Sequence, residues 1–174
     1  MTKILIQKTK EYLDYIERHI DNVEKAWELI KDNCSDKGFN FLEDKTLYEL
    51  IEHDVIWHDL SKLSEYEFVQ YRQYFFPAPF EIKSKNKFLT AWEHHKEYNK
   101  HHWQSWIKHL ETTPSDISHK EVYVVTMVID WVAMGFEFGD TAKSYYESNK
   151  DNIELPEWAI TLMYKIFDCI YNEK

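Results

Sequence analysis

His58-Asp59-Leu60-Ser61-Lys62 is the stretch on which the reading of this chain turns. An adjacent imidazole and carboxylate form a nitrogen and oxygen pair suited to borderline divalent metals, and the carboxylate has a second oxygen with which to bridge two ions. Leu47, Leu50, Ile51, Val55, Trp57 and Leu60 predict a helix that runs through the pair to about Leu63. On such a helix Lys62 lies one turn beyond His58 on the same face, so a cation points where a metal-bound anionic substrate would lie. An isolated His-Asp dipeptide is more often a surface pair, and a second one, His53-Asp54, stands five residues upstream. Five positions turn a helix by about 140°, so the two pairs cannot face one site. The lysine decides for the second.

Outward from this stretch the chain reads as helix. Only three Gly and four Pro occur in 174 residues, too few turn signals for a many-stranded protein. With 44% hydrophobic and 17% aromatic residues, an all-α single-domain bundle of about six to seven helices is expected over 1–174. Lys3 to Asn33 lacks Gly and Pro and repeats Ile6, Leu13, Ile16, Ile20, Val23, Trp27 and Ile30 at helical spacing, with Gly38 marking the following turn. Ser64-Glu65-Tyr66-Glu67 has the capping-box pattern and predicts a helix with Phe68, Tyr71 and Phe75 on one face, ended after Phe76 by Pro77 and Pro79. A lysine-containing loop over 80–87 leads to a helix from Phe88 through the histidine-rich segment, which Thr113-Pro114 closes. Ser118-His119-Lys120-Glu121 opens a very apolar helix that Gly135 and Gly139 end, Ala142 to Tyr146 is partly helical, and Pro156 starts a last amphipathic helix over about 156–171.

Charge and cysteine content narrow the partners. A net charge of -10, with only Arg18 and Arg72 beside nineteen Lys, repels a phosphate backbone, so no duplex nucleic acid partner is expected. Cys34 and Cys169 have no metal-type spacing and are too few for a disulfide scaffold, which fits a reducing cytoplasm. Met1 to Lys10 holds a three-residue apolar run, Ile4 to Ile6, so neither a signal peptide nor a membrane span is expected.

Three further places carry candidate chemistry. His19 adjoins the apolar stripe of the first helix, a setting in which a histidine is more often a hydrogen-bonded core residue than a ligand. His94-His95 and His101-His102 place four of nine histidines within nine residues, flanked by Trp92, Trp103 and Trp106. On an unbroken helix His95 and His102 share a face, as do His94 and His101; a break near Asn99 would let both members of the later pair turn inward. Asp130 is the only acid between Glu121 and Glu137, and a carboxylate in so apolar a helix must be paired, capped or bound to metal.

The order His19, His58-Asp59 with Lys62, His95, His101-His102 and Asp130 resembles the HD-domain superfamily of helical metalloproteins, over roughly residues 12 to 135. HDLSK followed by HHKEYNKHH also looks like a group of small uncharacterised bacterial and phage proteins. The resemblance implies a first metal held by His19, His58, Asp59 and Asp130, with Asp59 bridging to a second held by His95 and His101 or His102. In two-metal members a whole loop usually separates the middle histidine from the later pair, whereas His95 and His101 are six apart. The choice between His94 and His95, and between one ion and two, therefore stays open. The Gly-Tyr-Pro signature of the cyclic-dinucleotide branch is absent, and that substrate is not carried over.

These ligands suit Fe, Mn, Zn, Co or Ni, and the expected activity is metal-dependent phosphohydrolysis of a nucleotide or other small phosphorylated molecule. In that reading Lys62 neutralises substrate charge, Asp59 bridges and Asn99 donates a hydrogen bond. Lys83, Lys85, Lys87, Lys96 and Lys100 partly reverse the acidic average nearby. Two alternatives are a di-iron HD-type oxygenase, which uses the same ligand set, and a non-catalytic nucleotide- or protein-binding module, for which the many aromatic residues would supply stacking surface.

Overall fold

The computed structural model describes residues 1–112 and 119–171, with side chains left aside at 108–112, so the expected break at Thr113-Pro114 and the cap at Ser118 lie outside the described residues. Helix α1, Thr2–Cys34, buries Tyr12, Ile16, His19, Val23, Ala26, Trp27, Ile30 and Cys34 along one stripe. The three- and four-residue spacing of these positions is what a helix with one apolar face requires. Helix α7, Lys120–Phe138, is buried on nearly all sides from Val122 to Ala133, which makes it the central helix of the bundle. Helix α1 packs along α7, and α9, Glu157–Tyr171, lies against both, while α3, Lys45–Ile56, closes another flank of the same pair. The main core is built from Trp27, Phe41, Ile51, Met127, Ile129, Met163 and Phe167.

A second, smaller cluster of Tyr12, Ile16, Tyr71 and Ala91 joins the first half of α1 to α4, Phe68–Phe75, and α5, Lys85–Tyr98. His19 falls on α1 between Ile16 of this cluster and Val23 of the main one. The polar nest described below occupies that seam. Arg72 anchors the segment after α4 by a buried, two-pronged ion pair with Glu81, Nη2 to Oε1 at 2.6 Å.

The all-α expectation holds, and among the described residues there are nine α-helices and no strand. The count exceeds six to seven because short helices fill the connections: α2, Asn40–Glu43, α6, Trp103–Thr112, and α8, Ala142–Asn149. Gly139, at φ +78, ends α7, but Gly135 lies within it. There a Cβ would meet the Asp140 carbonyl oxygen at 2.8 Å, so glycine lets the returning chain approach the helix and does not terminate it. No single helix among the described residues is long and apolar enough to cross a membrane, and the apolar run of α7 is spent in the core.

Candidate metal centre

The helix expected to run through His58-Asp59 stops at Ile56, and the difference creates the site. Trp57 leaves helical geometry at φ -100, and Asp59 adopts the left-handed conformation at φ 58, ψ 16. It is the only non-glycine residue with positive φ among the described residues. Aspartate tolerates this region better than most residues, at a cost of roughly 1–2 kcal/mol. On a continuous helix adjacent side chains diverge by about 100°. The turn instead brings His58 and Asp59 to one place, both almost wholly buried. A single 3-10 turn, Leu60–Leu63, follows and carries Lys62 back over Asp59, Nζ to Oδ2 at 2.5 Å.

Asp59 divides its two oxygens between two sets of donors. Oδ2 lies 3.2 Å from His19 Nε2 and 3.7 Å from His58 Nε2, and these two imidazoles approach Asp130 Oδ1 at 3.3 and 3.4 Å. Oδ1 lies 3.2 Å from His95 Nε2 and 3.4 Å from His101 Nε2. His19, His58 and Asp130 form one group that could hold a metal ion, and His95, His101 and His102 form another, the donor atoms of each lying within 4.8 Å of one another. His58, Asp59 and His101 make a linking third group, and the His58 and His101 rings stack at 4.1 Å.

The later histidines reach the nest because α5 ends at Tyr98. Asn99 is extended, at φ -115, ψ 108, and the chain turns through His101 before α6 begins. This is the broken alternative, in which both His101 and His102 point inward. His95 is the ligand candidate of its pair. His94 instead has its ring between Tyr66 and Tyr98, at centroid distances of 4.9 and 4.3 Å.

Three residues depart from their expected roles. Asn99 does not present its amide outward: Nδ2 donates to Ser61 Oγ and to the His95 carbonyl, both at 2.7 Å, and so ties the 3-10 turn to the end of α5. Glu67 does not cap α4 with its side chain; it is fully buried and joins His94 Nδ1 at 2.7 Å to His95 Nδ1 at 2.8 Å. The capping-box spacing concealed this role, and no periodicity in the sequence signals it. Lys62 does not lie one helical turn from His58, because no helix continues there; it stands three residues from Asp59 across the 3-10 turn. His53-Asp54 stays outside, His53 with its side chain 65% exposed.

The nest concentrates buried carboxylates and imidazoles. Asp59, Glu67 and Asp130 are three buried carboxylates, and the cations that face Asp59 and Asp130 are the Lys62 ammonium and the His19 imidazolium. Burial raises the Asp59 carboxyl, but Lys62, His58 and His95 outweigh it and hold it well below the usual range. Burial likewise opposes ionisation of Asp130, and hydrogen bonds from His19 and His58 overcome it. For His19 burial favours the neutral ring, yet Asp130 and Asp59 raise it to about 9. His101 is pushed down to about 4 by burial and His58, and His102 well down by burial and His101, so both present neutral imidazoles, the form a metal takes. Two buried atoms, Asp59 Oδ1 and His102 Nε2, have no hydrogen-bond partner among the described residues. Unmatched oxygen and nitrogen lone pairs in one nest are what a divalent ion would satisfy, and the mixed imidazole and carboxylate set suits Fe, Mn, Co, Ni or Zn.

A family model described as a family of unknown function (DUF5662) matches residues 8–166. No curated protein and no solved structure matches the chain.

Proposed function

Because the chain belongs to the DUF5662 family, whose function is open, we propose from the chemistry of the centre that it is a metal-dependent phosphohydrolase acting on a nucleotide or another small phosphoester. The observation that carries this reading is the divided Asp59 carboxylate, with one oxygen toward His19, His58 and Asp130 and the other toward His95 and His101. In this reading His19, His58 and Asp130 would hold one ion, His95, His101 and His102 the other, and Asp59 would lie between them. The order of these residues along the chain, which resembles that of the HD-domain superfamily, supports the same reading.

Divalent ions bound by these residues would supply Lewis acidity toward a phosphoester and its attacking water. The protein supplies the rest. Lys62, kept charged by Asp59 although burial opposes it, offers a fixed ammonium to phosphoryl oxygens beside the nest. Its side chain is 11% exposed and that of Asp130 13%, so little of the nest meets solvent, which favours a small ester over a polymer. Asn99 and Ser61 hold the two ligand-bearing turns together and leave the substrate to Lys62.

The test is a panel of nucleotides and small phosphoesters incubated with Mn, Co, Ni or Fe(II). Metal-dependent phosphate release that disappears in Asp59→Asn supports the reading. A silent panel at high protein concentration, or release that survives Asp59→Asn, refutes it.

A further inference from the structure

We propose that Glu67 is the positioning residue that builds the second ion site, by fixing His95 with Nε2 toward Asp59, and that His94 is the outer anchor of Glu67 and not a ligand. This rests on the metal-site reading above and deepens it.

Tautomer logic carries the inference. An ionised carboxylate only accepts hydrogen bonds, so a Glu67 that faces Nδ1 of both His94 and His95 requires a proton on each of those nitrogens. Ser61 Oγ lies 3.2 Å from His95 Nδ1, and Asn99 Nδ2, at 3.1 Å, is a donor that gives its hydrogens to Ser61 Oγ and the His95 carbonyl, so the carboxylate is the nearest acceptor and the only charged one. With Nδ1 held by Glu67, the other ring nitrogen, Nε2, is aimed at Asp59 Oδ1, 3.2 Å away. Nε2 and this carboxylate oxygen converge on whatever cation or proton lies between them, the place of the second ion. Asp59 Oδ1 is accordingly without a hydrogen-bond partner among the described residues.

Glu67 is itself held. It is fully buried at the entry to α4, its backbone N–H bonds to the Ser64 carbonyl at 3.3 Å, and its second oxygen is tied to His94. The His94 ring is clamped between Tyr66 and Tyr98, with interplanar angles of 19° on each side. A carboxylate behind a ligating imidazole orients the ring and raises its basicity, and its loss typically weakens metal binding by about 10–100-fold. The first group, His19, His58 and Asp130, has Asp130 as a direct ligand candidate and does not depend on Glu67.

Co(II) added to metal-free protein tests this, followed by visible absorption and by ions retained per chain after desalting. Wild type should take up two ions. Glu67→Ala should retain one, with the absorption of the other site missing. Glu67→Gln can accept from His95 with its oxygen and donate to His94 with its amide, so it should restore two ions with the second bound about 10–100-fold more weakly. His94→Phe, which keeps a ring between the two tyrosines, should also keep two ions. The proposal is overturned if Glu67→Ala binds two ions with unchanged affinity and spectrum, whatever its thermal stability, or if His94→Phe loses the second ion outright. Should Glu67→Ala fail to fold, Glu67→Gln decides, and an unchanged second-ion affinity there overturns it. Wild type that binds fewer than two ions overturns both this inference and the dinuclear reading beneath it, which separates that failure from the others.

Discussion

Replacing Lys62 by Met should destabilise the metal-free protein far more than the metal-loaded one. The ammonium sits 2.5 Å from Asp59 Oδ2, with the two side chains 11% and 1% exposed, so the substitution leaves a buried carboxylate short of its nearest cation. Removing one partner of a buried pair costs about 3–5 kcal/mol. Methionine preserves the apolar stem, and His19, which stays charged up to about pH 9, still faces the same oxygen at 3.2 Å, so the loss belongs at the lower end. A loss of ~3 kcal/mol corresponds to a fall in Tm of ~6–12 °C for a chain of this size. Saturating divalent ion supplies the missing positive charge and should recover more than half of the deficit. Thermal unfolding by circular dichroism, in chelator and in excess Mn(II), measures both numbers. Because the folded pKa of His19 is raised, its compensation is complete below its ordinary value of 6.5 and disappears as pH rises to about 9. In chelator both proteins should therefore lose stability over that window, because both carry this imidazolium. Equal stability of the two proteins in chelator, or a deficit of the same size with and without ions, would refute the reasoning.

Other expectations follow from the same geometry. Ion binding must displace the proton on His19, so affinity for Mn(II) should rise with pH between 6.5 and about 9 with release of protons, measurable by calorimetry in buffers of different ionisation enthalpy; a flat profile counts against His19 as a ligand. Gly135→Ala places a Cβ 2.8 Å from the Asp140 carbonyl oxygen and should cost about 1–3 kcal/mol in urea unfolding, while ion uptake at the nest, which Gly135 does not touch, is retained. His53→Ala, in the exposed His-Asp pair, should leave stability within about 0.5 kcal/mol and metal content unchanged; a loss of metal there would show that the wrong pair had been chosen.

Much of this was legible in the residues, and for a physical reason. Helix faces repeat, so Ile16, Val23, Trp27 and Ile30 announce the buried side of α1 and place His19 on it. Asp130 stands out because a lone acid in an apolar run has no other explanation than a partner. The departure at Asp59 was not legible, and the break near Asn99 was legible only as one of two alternatives that the sequence did not decide. No Gly or Pro marks the left-handed turn at Asp59 or the break at Asn99, and the residues at both breaks look like ordinary helix. Glu67 was hidden because one spacing serves two purposes: Ser64-x-x-Glu67 is a sound capping pattern, while in the fold the carboxylate turns inward to Nδ1 of His94 and His95.

The breaks and the ligands have one cause. A helix presents one residue in every three or four to a given neighbour, so no unbroken helix can bring His58 and Asp59, or His101 and His102, to the same centre. Leaving the helix at both places exposes backbone groups that must be satisfied, and this chain satisfies them locally: Lys62 N–H bonds to the Asp59 carbonyl at 2.9 Å, and His102 N–H to that of Asn99 at 3.1 Å. Asp59 bears the added strain of its left-handed backbone, and Lys62 bears burial of its charge. Strain, burial of like-charged acids and two interrupted helices would each be selected against in a purely structural core, where apolar residues of the same volume would pack at lower cost. Their coincidence at one seam of the bundle is the strongest physical reason to read the nest as a working site, and it is why Lys62→Met, which removes the internal cation without touching a ligand candidate, is the most direct way to ask whether a metal belongs there.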